Sequence, residues 1–243
     1  MIDPAIPPQG RRLMDEFRAA MPPARPIDDL IAGTLVGDDP ALAGALTANK
    51  AAGLVPHDVA PNQGKLLELL VRGVGASSVL EIGTLGGYST IWLARGVGPG
   101  GRVVTIEREP RHAEIAQANL RRAGLADRVD IRIGTALDVL PGLRDIAASP
   151  FGFAFIDADK ENDVAYMKWA VRLCQPGATI VVDNVVRFGG VLDPDAATGD
   201  PGARGSRALL EYLSGADGVD ATAVQTVGAK GWDGFLLAVV AGS

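Results

Sequence analysis

Apolar and polar residues alternate along most of this chain in a way that predicts a β-sheet covered by helices. From about Asn62 onward, apolar runs of four to seven residues alternate with stretches of ten to fifteen residues that have a helical period. Such alternation is typical of a parallel sheet. The predicted strands are 78–82, 102–106, 129–133, 153–156 and 179–182, and the predicted helices are 64–74, 88–95, 111–123, 136–146 and 163–173.

The pattern changes after Gly189-Gly190. A polar loop rich in Gly and Pro extends through Gly205 and is followed by a predicted helix near 206–213. Two further strands are predicted, at about 221–227 and 234–240. No helix separates these two strands, so we expect them to pair antiparallel.

The first 55 residues differ from the rest because they are rich in Pro and show no strand pattern. Their short amphipathic segments predict helices at 11–20, 27–36 and 40–51, with Asp39 as the N-cap before Pro40. We therefore divide the chain into an N-terminal helical arm, 1–55, and one larger domain, 56–243.

Composition narrows the class of protein. Hydrophobic residues make up 47% of the 243 residues, which suits one large α/β core, yet no apolar stretch approaches the roughly 20 residues of a membrane span. The net charge of −6 argues against nucleic acid as a partner.

The N-terminus has no secretory-signal pattern, so we expect a cytoplasmic protein. The single Cys174 is expected to be a buried thiol.

A glycine-rich turn follows the first predicted strand. The segment Glu81-Ile82-Gly83-Thr84-Leu85-Gly86-Gly87 has glycines in the order G-x-x-G-G, whereas a dinucleotide-binding turn has G-x-G-x-x-G. Its carboxylate, Glu81, would repel a phosphate. An acidic strand end suits S-adenosylmethionine (SAM), because this molecule carries a sulfonium and an ammonium group and no phosphate.

The next two predicted strands also end in residues that suit a nucleoside. Glu107 follows the second strand, where an acid is expected to bind ribose hydroxyls. Gly134-Thr135-Ala136-Leu137 follows the third strand, and its small residues leave room for an adenine ring. These signals in this order predict nucleoside binding.

Oxygen ligands follow the fourth and fifth predicted strands. Asp157, Asp159 and Lys160 follow one strand, and Asp183-Asn184 follows the other. The carboxyl ends of parallel strands share one edge of a sheet, so Asp157, Asp183 and Asn184 are expected to converge on a hard cation, with Lys160 beside it. An Asp at a strand end is also commonly a helix cap, and we interpret Asp159 as a cap or a supporting residue.

Together these motifs resemble the cation-dependent O-methyltransferases of the caffeoyl-CoA and catechol type, within the class I SAM-dependent methyltransferases. The resemblance covers roughly residues 50–240 and implies a Rossmann-like α/β fold: a seven-stranded, mostly parallel sheet with one antiparallel strand and helices on both faces. The motifs that carry it are Val79-Leu80-Glu81-Ile82-Gly83-Thr84-Leu85-Gly86-Gly87-Tyr88-Ser89, Ile106-Glu107, Gly134-Thr135-Ala136-Leu137, Phe155-Ile156-Asp157-Ala158-Asp159-Lys160 and Val182-Asp183-Asn184-Val185.

The resemblance implies that Asp157, Asp183 and Asn184 bind a divalent cation, usually Mg²⁺. The cation would position the adjacent hydroxyls of a catechol-like acceptor and lower their pKa. Lys160 would accept a hydroxyl proton as general base, with its own pKa lowered by the cation. SAM would supply the methyl group. The implied SAM contacts are Val59, Gly64, Glu81, Gly83, Ser89, Glu107, Ala136 and Asp157.

The chain departs from the family pattern after Asp183-Asn184. Plant members continue with Leu-Trp, whereas this chain has Arg187 and Phe188 shortly after Val185-Val186. Arg187 therefore either selects an acidic acceptor or faces solvent. Of the two histidines, His57 aligns with a cofactor-lining position, and His112 is interpreted as a surface residue.

Two other functional classes stay open. A nicotinamide-dependent oxidoreductase would share the strand–helix pattern and Glu107, although the phosphate-binding turn is missing. A non-catalytic SAM-binding protein is the second, but it would not need Lys160 among cation ligands. The resemblance further implies a homodimer that acts on a small aromatic substrate. The arm would cover the acceptor site and the partner subunit, because isolated short helices need packing partners.

Overall fold

A computed structural model describes residues 24–146, 150–192 and 200–242. One seven-stranded sheet has the strand order β3-β2-β1-β4-β5-β7-β6, in which β7 runs antiparallel to both of its neighbours. This confirms the predicted sheet, including the antiparallel pairing of the last two strands. The strands are β1 Ser78–Ile82, β2 Arg102–Glu107, β3 Val129–Ile133, β4 Phe151–Ile156, β5 Cys174–Asp183, β6 Val219–Gly228 and β7 Gly231–Val240.

Helices cover both faces of the sheet. Side chains alternate along β1, so that Leu80 and Ile82 join one hydrophobic core and Val79 joins the other. The first core packs against α6, α7 and α8, and the second packs against α2, α3, α4 and α5. The helices are α1 Ala24–Ile31, continued by a π-helical turn Ala32–Val36, α2 Pro40–Ala51, α3 Pro61–Gly73, α4 Tyr88–Gly96, α5 Pro110–Arg122, α6 Ala136–Ile146, α7 Asp163–Leu173 and α8 Pro201–Leu213.

The central strands are the most deeply buried. Every residue of β1 and β4 is buried, whereas the edge strands β3 and β6 are largely half-buried or exposed. The order of the strands reverses between β1 and β4. Open α/β sheets bind ligands beyond the carboxyl ends of the strands at such a reversal. The ligand site is therefore expected beyond the carboxyl ends of β1 and β4, at the centre of the sheet.

Two local predictions are confirmed. Asp39 caps α2, because its Oδ1 accepts hydrogen bonds from the backbone N–H groups of Ala41 and Leu42, both at 3.0 Å. Cys174 is buried at the start of β5, and burial raises the pKa of its thiol to about 12. In the described ranges, no helix has the length and apolar character needed to cross a membrane.

The helix predicted near 206–213 begins earlier, at Pro201. Asp200 caps it by accepting a hydrogen bond from the Gly202 N–H at 2.9 Å. The glycines of this segment suggest a loop, but Gly205 is required by packing: a Cβ there would lie 2.0 Å from the carbonyl oxygen of Lys160. The helix predicted at 11–20 lies outside the described residues.

The N-terminal segment is only partly an appendage. Leu42 and Ala45 of α2 are buried in the second core together with residues of β1 and α4. In contrast, α1 has no buried residue. The division of the chain at residue 55 stays a prediction, and α2 packs as part of the main core.

Gly64 offers a test of the packing between α3 and α4. A Cβ on Gly64 would lie 2.3 Å from Nε1 of the buried Trp92, whereas a Cβ on Gly73, at the end of α3, would meet nothing within 4 Å. We expect Gly64→Ala to lower the free energy of unfolding by about 1–3 kcal/mol through overpacking. Gly73→Ala is the control and should leave stability unchanged or slightly raised. Equal midpoints of urea denaturation for the two variants would contradict this.

Candidate active site

A cavity of about 1260 Å³ opens at the carboxyl ends of the central strands. Its walls come from the turn after β1, the ends of β2, β4 and β5, the segment before α3, and the hairpin between β6 and β7. The polar strand ends expected from the sequence therefore face one space, which is large enough for a nucleoside-sized ligand together with a small aromatic molecule.

The three predicted metal ligands, Asp157, Asp183 and Asn184, line this cavity. Asn184 has a left-handed backbone with φ of +58°, a conformation that Asn tolerates better than most residues. Its Nδ2 donates to Asp233 Oδ2 at 3.3 Å, which leaves the amide oxygen available to a ligand. The local fold therefore presents carboxylate and amide oxygens on adjacent strand ends.

The electrostatics of these oxygens suit a cation. Burial and the charge of Asp157 both raise the pKa of Asp183, because two carboxylates share a poorly hydrated space. No cluster of three or more His, Cys, Asp or Glu side chains with metal-binding geometry occurs in the part of the chain that the structure describes. The candidate set instead combines two carboxylates with one amide, and this all-oxygen donor set fits a hard ion such as Mg²⁺.

Lys160 lies beside the candidate ligands, with a relative exposure of 7%. Its Nζ is 3.0 Å from Asp157 Oδ1. Burial lowers the pKa of Lys160, but the carboxylates of Asp157, Asp163 and Asp183 outweigh this and raise it above the ordinary value. The protein groups alone therefore do not lower the pKa. The lowering expected from the sequence depends on a cation among the same carboxylates.

Asp163, which the sequence analysis did not single out, lies at the start of α7 behind Lys160. Its side chain is fully buried, and neither of its carboxylate oxygens has a hydrogen-bond partner among the residues that the structure describes. Burial raises the pKa of Asp163 to about 7, against the opposing effect of Lys160. Asp159 is a supporting residue, as interpreted: its Oδ1 accepts a hydrogen bond from Tyr166 OH at 2.6 Å.

Glu81 is fully buried beneath the turn that follows β1. Its carboxylate accepts hydrogen bonds from the hydroxyls of Ser89 and Thr90, both at 2.6 Å, and of Thr105 at 2.7 Å. Burial raises the pKa of Glu81 to about 7 despite these bonds. The carboxylate thus joins the end of β1 to the start of α4 and to β2.

Glu107 connects the turn after β1 with the end of β2. Its Oε2 accepts a hydrogen bond from the Leu85 N–H at 2.7 Å, and its Oε1 accepts one from the Glu109 N–H at 2.9 Å. His112 Nδ1 lies 3.4 Å from the same Oε1. His112 also lines the cavity, so its interpretation as a surface residue was wrong. His112 lies in the first turn of α5, next to Glu107 at the end of β2.

Comparison with known proteins identifies the family. The model of the O-methyltransferase family matches residues 41–210. The chain belongs to the O-methyltransferase family. It is 58% identical over 214 residues to a catechol O-methyltransferase of Mycobacterium tuberculosis, covering 88% of this chain and 94% of the relative. It is 46% identical over 214 residues to a catechol O-methyltransferase of Niastella koreensis, covering 88% and 96%.

A solved structure agrees with these relatives. The O-methyltransferase from Bacillus cereus in complex with SAH superposes with a TM-score of 0.86 at 51% identity, covering 89% of this chain and 98% of that one. These similarities confirm the predicted family, the class I methyltransferase fold and the assignment as a SAM-dependent O-methyltransferase.

Most of the predicted SAM contacts of this O-methyltransferase line the cavity, but Gly64 and Glu81 do not. Gly64 packs against Trp92, and Glu81 lies behind Ser89. His57 also lines the cavity. Contact of all these residues with SAM stays a prediction. The predicted residues that line the cavity are Val59, Gly83, Ser89, Glu107, Ala136 and Asp157.

Asp233 supports the O-methyltransferase site and was missed in the sequence. Its Oδ1 accepts hydrogen bonds from the N–H groups of Val186 at 3.1 Å, Arg187 at 3.0 Å and Gly234 at 2.9 Å. Its Oδ2 accepts from Asn184. The only signal was an acidic residue near the start of the otherwise apolar strand β7. Asp233 fixes the turn that carries Asn184 and Arg187.

Arg187 and Phe188 both line the cavity, and both have a left-handed backbone with φ of +52°. Arg187 Nη2 lies 3.2 Å from Oδ2 of Asp200, the residue that caps α8. Arg187 is therefore half-buried in an ion pair on the cavity wall. Its selection of an acidic acceptor stays a prediction, and such an acceptor would compete with Asp200.

Glu81 gives a pH-dependent prediction for the O-methyltransferase. Its pKa is about 7 in the folded chain and 4.5 as the ordinary value, so the native state binds this proton more tightly than the unfolded state. The resulting stabilisation is present at low pH and is lost as pH rises toward about 7.

Glu81→Gln cannot titrate and should flatten this part of the pH dependence of the free energy of unfolding. Urea denaturation from about pH 5 to about pH 8 measures the difference from the wild type. Glu114→Gln, on the exposed face of α5, is the matched control. A difference between Glu81→Gln and the wild type that is independent of pH would be inconsistent with the raised pKa.

Proposed function

We propose that this enzyme transfers the methyl group of SAM to one hydroxyl of a catechol-like, vicinal dihydroxy aromatic acceptor, and that it requires a divalent cation, most suitably Mg²⁺. The observation that carries the proposal is the convergence of Asp157, Asp183 and Asn184 on one cavity beside Lys160. Both relatives are named catechol O-methyltransferases, which supports the same acceptor class.

Asp157, Asp183 and Asn184 would hold the cation through their side-chain oxygens. The ion supplies Lewis-acid chemistry: it lowers the pKa of a coordinated hydroxyl and fixes the orientation of the acceptor. Asp233 keeps Asn184 in place by its hydrogen bond at 3.3 Å, and the backbone N–H of Asp157 donates to Ile82 O at 2.9 Å. The first bond ties the residue after β5 to β7, and the second ties the residue after β4 to the end of β1.

Lys160 acts at its Nζ atom, which accepts the proton of the acceptor hydroxyl when the side chain is a neutral amine. Burial restricts this amino group to the space beside Asp157, and Gly205 allows α8 to pack on the carbonyl oxygen of Lys160. Loss of the proton leaves an oxygen nucleophile facing the methyl donor. The protein contribution is then mainly orientation of the two reactants.

The methyl donor occupies the part of the cavity formed by the turn after β1 and the ends of β2 and β3. Gly83 has a φ of +103°, and its backbone lies against the end of β4. Glu107 would bind the ribose hydroxyls, and Ala136 would leave room for the adenine. Val59, Ser89 and Asp157 complete this side of the cavity.

Removal of divalent cations tests the metal requirement directly. Methyl transfer to a panel of catechols should fall to the background rate in EDTA and return on addition of Mg²⁺. Asp183→Ala should abolish this return, because it removes one of the two carboxylate ligands. Undiminished turnover in EDTA would exclude the metal-dependent mechanism.

Lys160→Ala tests the general base. We expect kcat to fall by at least about 100-fold, as is typical of removing a general base. Binding of SAM should change little in calorimetry. Lys50→Ala, an exposed lysine on α2, is the control and should retain full activity. A fully active Lys160→Ala would remove the assigned role.

The two alternative classes make different predictions. An oxidoreductase would be stabilised by NADH, whereas a SAM-dependent enzyme should show a higher Tm with SAM and no change with NADH. A non-catalytic protein would bind SAM without turnover of any catechol. The cytoplasmic location stays a prediction from the N-terminal sequence.

We also infer that the enzyme is a homodimer. Helix α1 is held to the body through polar contacts, such as Asp28 Oδ2 accepting from the Ala229 N–H at 2.6 Å, while its apolar side chains face outward. Leu30 and Leu35 are exposed by 69% and 72%, and the edge strand β6 exposes Val224 and Val227. A second copy of this chain would cover these apolar side chains.

Sedimentation velocity tests this assembly. The wild type should sediment as a dimer, and Leu30→Glu combined with Leu35→Glu should shift it to a monomer, because two charges would be buried in the interface. Val74→Glu changes another exposed apolar residue, at the end of α3, and should leave the dimer intact. A monomeric wild type would eliminate the inference.

A further inference from the structure

A buried amide network connects α2 with the cavity. Asn49, in the last turn of α2, has a relative exposure of only 2%. Its Nδ2 donates to Asp58 Oδ1 at 2.8 Å, and its Oδ1 accepts from Asn119 Nδ2 at 2.9 Å. Both of its polar groups are thus satisfied by residues from different parts of the chain, one before α3 and one on α5.

The network reaches the turn after β1 through its second member. Asn119 Nδ2 also donates to the carbonyl oxygen of Gly86 at 2.8 Å. A Cβ on Gly86 would lie 2.0 Å from Asn49 Oδ1, so the turn lies directly against the amide. On its other side, Leu85 donates to Glu107. The turn is therefore fixed between Glu107 and the two amides.

The network reaches a second cavity wall through Asp58. Asp58 lines the cavity directly before Val59, and its carbonyl oxygen accepts a hydrogen bond from Lys230 Nζ at 2.6 Å. Lys230 belongs to the hairpin between β6 and β7, which also lines the cavity. Asn49 thus holds two cavity walls, the segment before α3 and the turn after β1, at a fixed separation.

We propose that Asn49 is a positioning residue for SAM. It does not line the cavity, and it acts through Asp58 and the turn at Gly86. Less conformational entropy is lost on binding when the protein loops that contact the cofactor are already ordered. A fixed separation of the two walls therefore favours SAM binding. No local sequence motif marks Asn49, because its partners are distant in the chain.

Asn49→Leu keeps the approximate volume of the side chain and removes both hydrogen bonds. It removes the Asn49 donor from the Asp58 carboxylate and the Asn49 acceptor from Asn119, so the two walls lose their connection through residue 49. We expect the Kd for SAM, measured by calorimetry without metal or acceptor, to rise about tenfold or more, and kcat at saturating SAM to change by less than about threefold. Lys50→Leu, the exposed neighbour on α2, should bind SAM like the wild type.

A reversed pair separates positioning from packing. In Asn49→Asp combined with Asp58→Asn, the carboxylate at position 49 accepts from the amide at position 58 and from Asn119. We expect the Kd for SAM to return to within about threefold of the wild-type value. A purely structural role would not predict rescue by exchanging donor and acceptor.

Three results would overturn the proposal. They are an unchanged Kd for SAM in Asn49→Leu, a fall in the kcat of Asn49→Leu as large as its loss of SAM affinity, or a reversed pair that binds SAM as weakly as Asn49→Leu. If Asn49→Leu does not fold, the reversed pair decides alone, by binding SAM with near wild-type affinity or failing to. The outcomes that rest on the Kd for SAM are measured without metal or acceptor, so they are independent of the metal, of Lys160 and of the acceptor.

Discussion

The close approach of β1 and β4 at their carboxyl ends is the constraint on which the site depends. A Cβ on Gly83 would lie 2.2 Å from the carbonyl oxygen of Asp157, so only glycine allows the two strand ends to meet. This contact brings the turn after β1 against the residue that is the first candidate metal ligand. A methyl donor and an activated acceptor must lie within bonding reach, and the backbone itself sets that separation.

Sequence periodicity predicted the parts of the fold that are determined locally. Strand β4 is an uninterrupted apolar run that is buried along its full length and ends sharply at Ile156. Strand β1 is equally buried and ends at Ile82, although Ser78 and Glu81 interrupt its apolar residues. Residues that directly follow such ends, including Asp157 and Asp183, could therefore be assigned to one sheet edge. The start of α8 was misplaced because Gly205 is required by tertiary packing, which local propensity does not contain.

The residues that support the site could not be predicted from the sequence, because their contacts are tertiary and join distant parts of the chain. Asp233 acts on Asn184 across 49 residues, and Asn49 acts on Asn119 across 70 residues. Asp163 is buried near Lys160, and among the described residues its carboxylate has no hydrogen-bond partner, which no spacing rule indicates. Glu81 was instead predicted to contact SAM because it lies near a strand end. Its carboxylate oxygens already accept hydrogen bonds from the hydroxyls of Ser89, Thr90 and Thr105.

The ion pair between Arg187 and Asp200 has a consequence for the ionic environment. Its side chains are 30% and 25% exposed, so dissolved salt reaches and screens them, whereas the amides of Asn49 and Asn119 are neutral and shielded. Rising ionic strength therefore weakens the contact at the start of α8 more than the amide contacts of Asn49. The two walls of one cavity thus differ in their sensitivity to salt.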